Sequence, residues 1–165
     1  MYNKIYTVLF ILIIFSSCSG EEAVKFNDDF IDEQNALQKI LNPIDEKIAK
    51  FTMLQNFDST AAQAEVAEKA ITKTIKKFEN AHTPDINGAA DYKKAFVYYY
   101  GNIKDEYSYY KYYAQEKNPK LKVEYFDKLK AKVNRRMEWD TYIHNAQNAY
   151  AKANGFRVQN SLYQR

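Results

Sequence analysis

Apolar side chains recur in this chain at alternating steps of three and four residues, the spacing that keeps one face of an α-helix against a partner. Between residues 30 and 55 this face consists of Phe30, Gln34, Leu37, Leu41, Ile44, Ile48, Phe51 and Gln55. Alternation of apolar and polar residues at period two, which is typical of strands, never lasts long enough to form a sheet. The sequence therefore predicts an all-α protein.

Capping residues, prolines and glycines divide the helical pattern into four helices. The predicted boundaries are, in chain order, Asp58-Ser59, His82-Thr83-Pro84, Asn118-Pro119 and Asn154-Gly155. Four amphipathic helices joined by short connections predict an antiparallel up-down-up-down four-helix bundle.

Asn42-Pro43 interrupts the first helical run. A proline inside a helix removes one backbone hydrogen bond and kinks the axis, at a cost of about 3 kcal/mol. Because the apolar spacing continues in phase through Pro43, we expect one helix that is kinked there. The same dipeptide is also a good start signal for a separate helix, and that alternative stays open.

The first eighteen residues have the pattern of an export signal. A positive charge at Lys4 precedes an apolar run over residues 8–15, and two serines separate that run from Cys18. The run is shorter than the about 20 residues that span a bilayer. The only cysteine of the chain thus occupies the place it has in the lipobox of bacterial lipoproteins, where it is diacylated, although Phe15 departs from the usual Leu. A plain cleaved signal and an uncleaved anchor are the alternatives.

This interpretation predicts the domain organisation. We expect a lipoprotein signal peptide over residues 1–17, a lipid-anchored tether over 18–26, a four-helix bundle over 27–154 and an irregular tail over 155–165. The tether is acidic at Glu21 and Glu22, and such residues accompany surface export in lipoproteins of the Bacteroidetes type. The expected location is the outer membrane of a bacterial cell envelope, on either the surface or the periplasmic side.

The third helix holds nine of the 15 tyrosines of the chain. At 100° per residue, Tyr98, Tyr109 and Tyr112 point away from the face that carries Phe96 and Ile103. Exposed tyrosines are enriched at interfaces, so these three are candidate residues for binding a protein or glycan partner. The alternative is that lysine and glutamate side chains cover the rings and that an AT-rich genome inflates the tyrosine content.

Polar residues interrupt the apolar face of the fourth helix. That face is expected to consist of Phe126, Leu129, Val133, Met137, Ile143 and Ala151. The same arc also contains Arg136, Asp140, His144 and Gln147. Heights counted from the helix connections place Gln34, His82, Asp140 and His144 in one candidate buried polar layer. Such a layer either binds a small ligand or fixes the helix register, with Asp140 and His144 paired at i,i+4.

We expect neither a metal site nor a cofactor. Glu79-x-x-His82 has the spacing of di-iron bundles, but those sites need two such motifs and this chain has two histidines in total. With Cys18 used as the anchor, no cysteine nucleophile remains, and a chain with four glycines contains no phosphate-binding loop or GxSxG motif. Lysine and arginine alternate with acidic residues at a net charge of +3, which argues against nucleic-acid binding. We therefore expect no enzymatic activity.

The chain resembles an uncharacterised family of bacterial surface lipoproteins, of the Bacteroidetes and spirochaete type, with a helical-bundle domain. The resemblance rests on Phe26-Asn27-Asp28-Asp29 with Gln34, an alanine-rich second helix, a tyrosine-rich third helix, and Ala146-Gln147-Asn148-Ala149-Tyr150-Ala151. It implies a bundle on the outer envelope and brings no known catalytic residues. Two functions follow as expectations: a non-enzymatic envelope lipoprotein that binds a protein or glycan, or a periplasmic bundle that binds a small ligand or metal.

Overall fold

The protein is all-α, as the hydrophobic spacing predicts. The computed structural model describes the backbone of residues 3–158 and the side chains of residues 20–158. Its helices are α1 (Asn3–Met53), α2 (Phe57–Asn80), α3 (Ala89–Gln115), α4 (Pro119–Asn134) and α5 (Arg136–Ala153). Residues 3–158 contain no strand.

Helix α3 lies at the centre of the molecule. It packs against α2, α4 and α5, whereas α1 packs mainly along α2 and touches α5 only slightly. Aromatic rings fill one end of the core, where Tyr92 and Tyr150 stack with centroids 4.7 Å apart. The other rings of this aromatic end are Phe26, Phe30, Phe78, Phe96 and Tyr100.

Helix α1 is a single helix that passes through Pro43. The alternative of two separate helices is therefore wrong. The residues expected to form a tether also differ from expectation, because residues 20–26 belong to α1 and bury Ala23 and Phe26. The physical reason is that Ala23, Phe26 and Phe30 extend the three- and four-residue spacing toward the N-terminus.

The predicted fourth helix is interrupted at Arg135, which separates α4 from α5. Its φ of −91° and ψ of −1° fit a tight turn, and its N–H donates to the carbonyls of Lys132 and Val133. Phe126, Val133 and Met137 are consequently exposed, contrary to expectation, whereas Leu129, Ile143 and Ala151 are buried as expected. The turn resets the helical phase, so that α5 buries Trp139, Ile143 and Tyr150 instead of continuing the α4 face.

Asparagines cap two of the helices. The side chain of Asn56 accepts from the Ser59 N–H at 3.2 Å, so the cap lies two residues before the expected Asp58-Ser59. Asn118 accepts from the Lys120 N–H at 3.0 Å and precedes Pro119 at the first position of α4, as predicted. These bonds satisfy N–H groups that would otherwise have no partner in the first helical turn.

Part of the predicted organisation lies outside the described residues. The structure describes no side chain of the predicted signal segment 1–17 or of the predicted lipid anchor Cys18, and it does not describe residues 159–165. The described part of the tail, residues 155–158, is irregular, with the Phe156 ring 5.8 Å from that of Tyr150. Among the described residues, no helix combines the length and hydropathy needed to cross a membrane.

Candidate functional site

The three candidate tyrosines lie on the outer side of α3 but not in one continuous stripe. Tyr98 is 49% exposed and pairs with Tyr142 of α5, with ring centroids 5.2 Å apart. We call these two residues the Tyr98 pair. The 14 residues from Tyr98 to Tyr112 correspond to about 21 Å along a helix axis. The exposed tyrosines therefore form two separate surfaces.

The second surface joins α3 to α4. Tyr112 is 42% exposed, and its ring lies 6.2 Å from Tyr109, which is half-buried, and 5.5 Å from Tyr125 of α4. We call these three residues the Tyr112 cluster. The ammonium groups of Lys111 and Lys128 lie over its rings, at 5.5 Å from Tyr112 and 5.8 Å from Tyr125. Lysines thus flank the rings, yet Tyr112 remains exposed. The sequence spacing found neither Tyr125 nor Tyr142, because both belong to other helices.

The predicted polar layer is only partly assembled. Gln34 and Asp140 line one cleft, as expected from their heights in the bundle. His82 is exposed beyond the end of α2, and His144 contacts Asn148, with 2.9 Å between Nε2 and Nδ2. Within the described residues, no three side chains among His, Cys, Asp and Glu form a group that could hold a metal ion.

The cleft opens between α1 and α5, with α3 as its floor, and we call it the α1–α5 cleft. It has a volume of about 270 Å³. Its lining residues are Gln34, Gln38, Leu41, Tyr99, Tyr100, Ile103, Tyr107, Arg136, Asp140 and Ile143. Helices α1 and α5 touch only slightly, and Tyr150 OH of α5 donates to the Ala23 carbonyl of α1 at 3.2 Å.

Two tyrosines form a corner in the cleft. The rings of Tyr99 and Tyr100 lie 4.9 Å apart at an interplanar angle of 86°. Tyr99 OH donates to Asp140 Oδ1 at 2.8 Å, which fixes both the phenol and the carboxylate. Burial raises the pKa of Tyr100 well above its ordinary value, and the nearby Tyr99 and Asp140 add to this effect. The corner therefore presents neutral rings beside a negative charge.

A buried ion pair lies at the Arg136 end of the cleft. Arg136 donates through Nη2 to Glu106 Oε1 at 2.9 Å and through Nε to Oε2 at 3.2 Å. Glu106 is only 3% exposed, and burial raises the pKa of its carboxyl although Arg136 opposes the rise. Close by, Tyr107 OH donates to Asp45 Oδ1 at 2.5 Å. In the sequence, only the place of Arg136 within an apolar arc indicated this ion pair.

A second polar network joins α1, α3 and α5 on the other side of the cleft. Asn27 Oδ1 accepts from Tyr92 OH and from Gln147 Nε2, at 2.9 Å in each case. Asn27 and Gln147 are both buried, and Gln147 Oε1 has no hydrogen-bond partner among the described residues. Gln147 was found as a polar residue within the apolar arc of its helix. Asn27 gave no such signal, although it was expected to be the first residue of the bundle.

Three polar groups of the cleft are held in hydrogen bonds: Tyr99 donates to Asp140, Arg136 to Glu106 and Tyr107 to Asp45. The lining of the cleft includes no serine, cysteine or histidine. Comparison of the chain with protein-family models, with curated proteins and with solved structures finds no match.

Proposed function

We propose that this protein is a non-enzymatic lipoprotein of the bacterial envelope, anchored through Cys18, that binds a protein or glycan partner through its exposed tyrosines. The observation that carries the proposal is the gathering of exposed and half-buried rings into the Tyr112 cluster and the Tyr98 pair. Tyrosine supplies a large amphipathic contact area at a low cost in side-chain entropy. Rings from two helices held in one patch act as a preorganised surface.

Site-specific photocrosslinking in cells tests the partner surface. A photoreactive benzoylphenylalanine at Tyr112 should give a discrete adduct, whereas the same group at Lys73, an exposed residue of α2, should not. Serine at both Tyr109 and Tyr125 should weaken the Tyr112 adduct, and the melting temperature of this variant shows whether it is folded. Digestion of the adduct with a protease or a glycosidase distinguishes a protein partner from a glycan. Identical adducts from Tyr112 and Lys73 would exclude the tyrosine surface.

The anchor and its location are tested separately. Metabolic labelling with a fatty acid should label the full chain but not Cys18→Ser. Protease treatment of intact cells should degrade the protein if it faces the outside, with a periplasmic protein as the protected control. Protection until the outer membrane is opened would place the bundle on the periplasmic side. Equal labelling of the wild type and Cys18→Ser would contradict the lipid anchor.

A second candidate function is the binding of a small ligand, with the periplasm as the expected compartment. It is supported by the α1–α5 cleft, where the predicted residues Gln34 and Asp140 lie together. The volume of about 270 Å³ is just below the about 300–1,000 Å³ that is usual for drug-sized ligands, so the ligand would be small.

We also propose that the helices follow an up-down-up-down course and that α1 bends at Pro43. Consecutive helices pack against each other, and the connections 54–56, 81–88 and 116–118 are short, which favours antiparallel neighbours. A proline in a continuous helix removes one backbone donor, which favours a bend at that position.

A further inference from the structure

The charged groups around the α1–α5 cleft are unbalanced. Asp140 lines the cleft, Glu106 pairs with its Arg136, and Asp45 accepts the hydroxyl of its Tyr107. Three carboxylates against one guanidinium give this group a formal charge of −2 in a chain whose net charge is +3. Burial raises the pKa of Glu106, and the charges of Asp45 and Asp140 contribute in the same direction while Arg136 opposes them. An additional positive charge here would therefore be stabilised.

The aromatic lining favours the same kind of ligand. The ring of Tyr99 is half-buried and lines the cleft, at an interplanar angle of 86° to the ring of Tyr100, which is 4% exposed and stacks on Phe78. Ammonium groups bind against aromatic rings because the ring faces carry partial negative charge. Asp140 Oδ1 accepts from the Tyr99 hydroxyl at 2.8 Å, which places a carboxylate beside this ring.

We propose that the α1–α5 cleft binds a small organic cation that carries an alkylammonium group, with the ammonium at Tyr99 and Asp140. This inference rests on the second candidate function and names its ligand class. Leu41, Ile103 and Ile143 supply the apolar wall against which the alkyl part lies. Gln34 and Gln38 at the α1 side offer amide oxygens to the remaining ammonium protons.

Three probes of the same shape test the ligand class. n-Butylammonium, n-butanol and n-butyrate differ in charge but hardly in size, and each is titrated against the full chain. Isoleucine methyl signals report the binding, because Ile103 and Ile143 line the cleft, whereas Ile71 is buried in the core and does not line it. Butylammonium should shift the signals of Ile103 and Ile143 but not that of Ile71, and the other two probes should bind at least about tenfold more weakly.

Two variants locate the binding, and one exposed aspartate serves as the control. Asp140→Asn keeps the shape and should raise the Kd for butylammonium about tenfold, because the charge-assisted hydrogen bond is lost. Tyr99→Leu keeps an apolar side chain but removes the ring face, and it should weaken binding similarly. Asp127→Asn, on the exposed side of α4, should leave the Kd unchanged. Melting temperatures measured in parallel show whether each variant is folded.

The outcomes separate the two ideas. Butanol or butyrate that binds as tightly as butylammonium would overturn the cation while leaving a small-ligand cleft in place. Absence of any shift at Ile103 and Ile143 with all three probes would overturn both. If butylammonium binds, a glycine-lysine-glycine peptide is titrated in the same way. Tighter binding of the peptide would identify a lysine side chain as the ligand group, and tighter binding of butylammonium would identify a free amine.

Discussion

The buried polar side chains of Asn27, Glu106 and Gln147 form hydrogen bonds between helices. Glu106 and Arg136 join α3 to α5, and Asn27 joins α1 to both α3 and α5. Removing one member of a buried pair leaves the other desolvated without compensation, which costs more than the bond itself contributes. Single substitutions in these networks should therefore have large effects that depend on which partner remains.

Arg136→Met should destabilise the protein by about 2 kcal/mol near neutral pH, because it leaves the Glu106 carboxylate buried without a partner. This is less than the about 3–5 kcal/mol of fully buried pairs, since the Arg136 side chain is 39% exposed. Urea unfolding of the variant and the wild type measures the difference.

The same variant has a defined pH dependence. Burial holds the pKa of Glu106 above its ordinary value, so the folded state binds this proton more tightly and gains stability as the pH falls through the folded pKa. Without Arg136 the pKa of Glu106 rises further, and the deficit of Arg136→Met should shrink as the pH falls through this raised pKa toward the ordinary pKa of a glutamate. Adding Glu106→Gln should abolish this pH dependence. A deficit that stays constant with pH would show that Glu106 is not the group left unpaired.

Asn27→Ala should destabilise by about 2–3 kcal/mol, because the Tyr92 hydroxyl and the Gln147 amide lose their shared acceptor in a buried place. Tyr92→Phe removes one donor and leaves none unpaired, so it should cost only about 1 kcal/mol. The double variant should lose less stability than the two single variants lose together, because it no longer contains the Tyr92 hydroxyl that Asn27→Ala leaves without a partner. Strict additivity in urea unfolding would contradict the network.

At the scale of whole helices, α4 is the most weakly held. It buries only Leu129, and it rests on α3 through aromatic and lysine contacts such as Tyr112–Tyr125 and the Lys132–Asp105 ion pair. Local opening is easiest where few apolar side chains are buried. Helix α4 should therefore open independently of the rest of the protein.

Leu129→Ala should release α4 without unfolding the core. The lost burial corresponds to about 2–3 kcal/mol, so amide hydrogens of residues 123–134 should exchange at least about tenfold faster while those of α2 are unchanged. Hydrogen exchange followed by mass spectrometry resolves the two helices. Val123→Ala, at an exposed position of the same helix, is the control and should not accelerate exchange. Equal acceleration in α2 would mean that α4 unfolds only with the whole protein.

Pro43→Ala should stabilise the protein by about 1–2 kcal/mol. The alanine regains the backbone N–H that can donate to the Lys39 carbonyl, and the gain is less than the about 3 kcal/mol penalty of an interior proline because the unfolded chain becomes more flexible. Glu46→Ala at a nearby exposed position is the control for helix propensity. Loss of stability in thermal unfolding would show instead that the packing of α1 along α2 depends on a bend at Pro43.

The predictability of each element follows from how its side chains are buried. In α1, Phe30, Leu37, Leu41, Ile44 and Ile48 are buried as their spacing predicts, because the spacing stays in phase through Pro43 and keeps these residues on one face of the helix. In the fourth predicted helix the turn at Arg135 resets the phase, and neither proline nor glycine marks it. The cleft was predictable through Gln34 and Asp140, whereas Asn27, Asp45 and Tyr125 acquire their roles only from residues on other helices.

For the molecule as a whole, the position of residues 20–27 bears on how the bundle meets a membrane. These residues form part of α1, and Ala23, Phe26 and Asn27 contribute to the aromatic end of the core. A lipid on Cys18 would thus lie only a few residues from packed side chains. If Cys18 is lipidated as proposed, the aromatic end of the bundle lies close to the bilayer and is not separated from it by a flexible tether.

Two truncated chains distinguish a packed segment from a tether. A chain that begins at Ser19 should melt at the temperature of the full chain, whereas one that begins at Asp28 should lose at least about 6 °C. The second truncation removes the Phe26 ring, whose loss from a core costs about 3–5 kcal/mol, and each kcal/mol corresponds to about 2–4 °C in a protein of this size. Serine at both Glu21 and Glu22, which are exposed, is the control and should leave the melting temperature unchanged. If the chain beginning at Asp28 melted at the same temperature as the one beginning at Ser19, residues 19–27 would be a tether and not a packed part of the bundle.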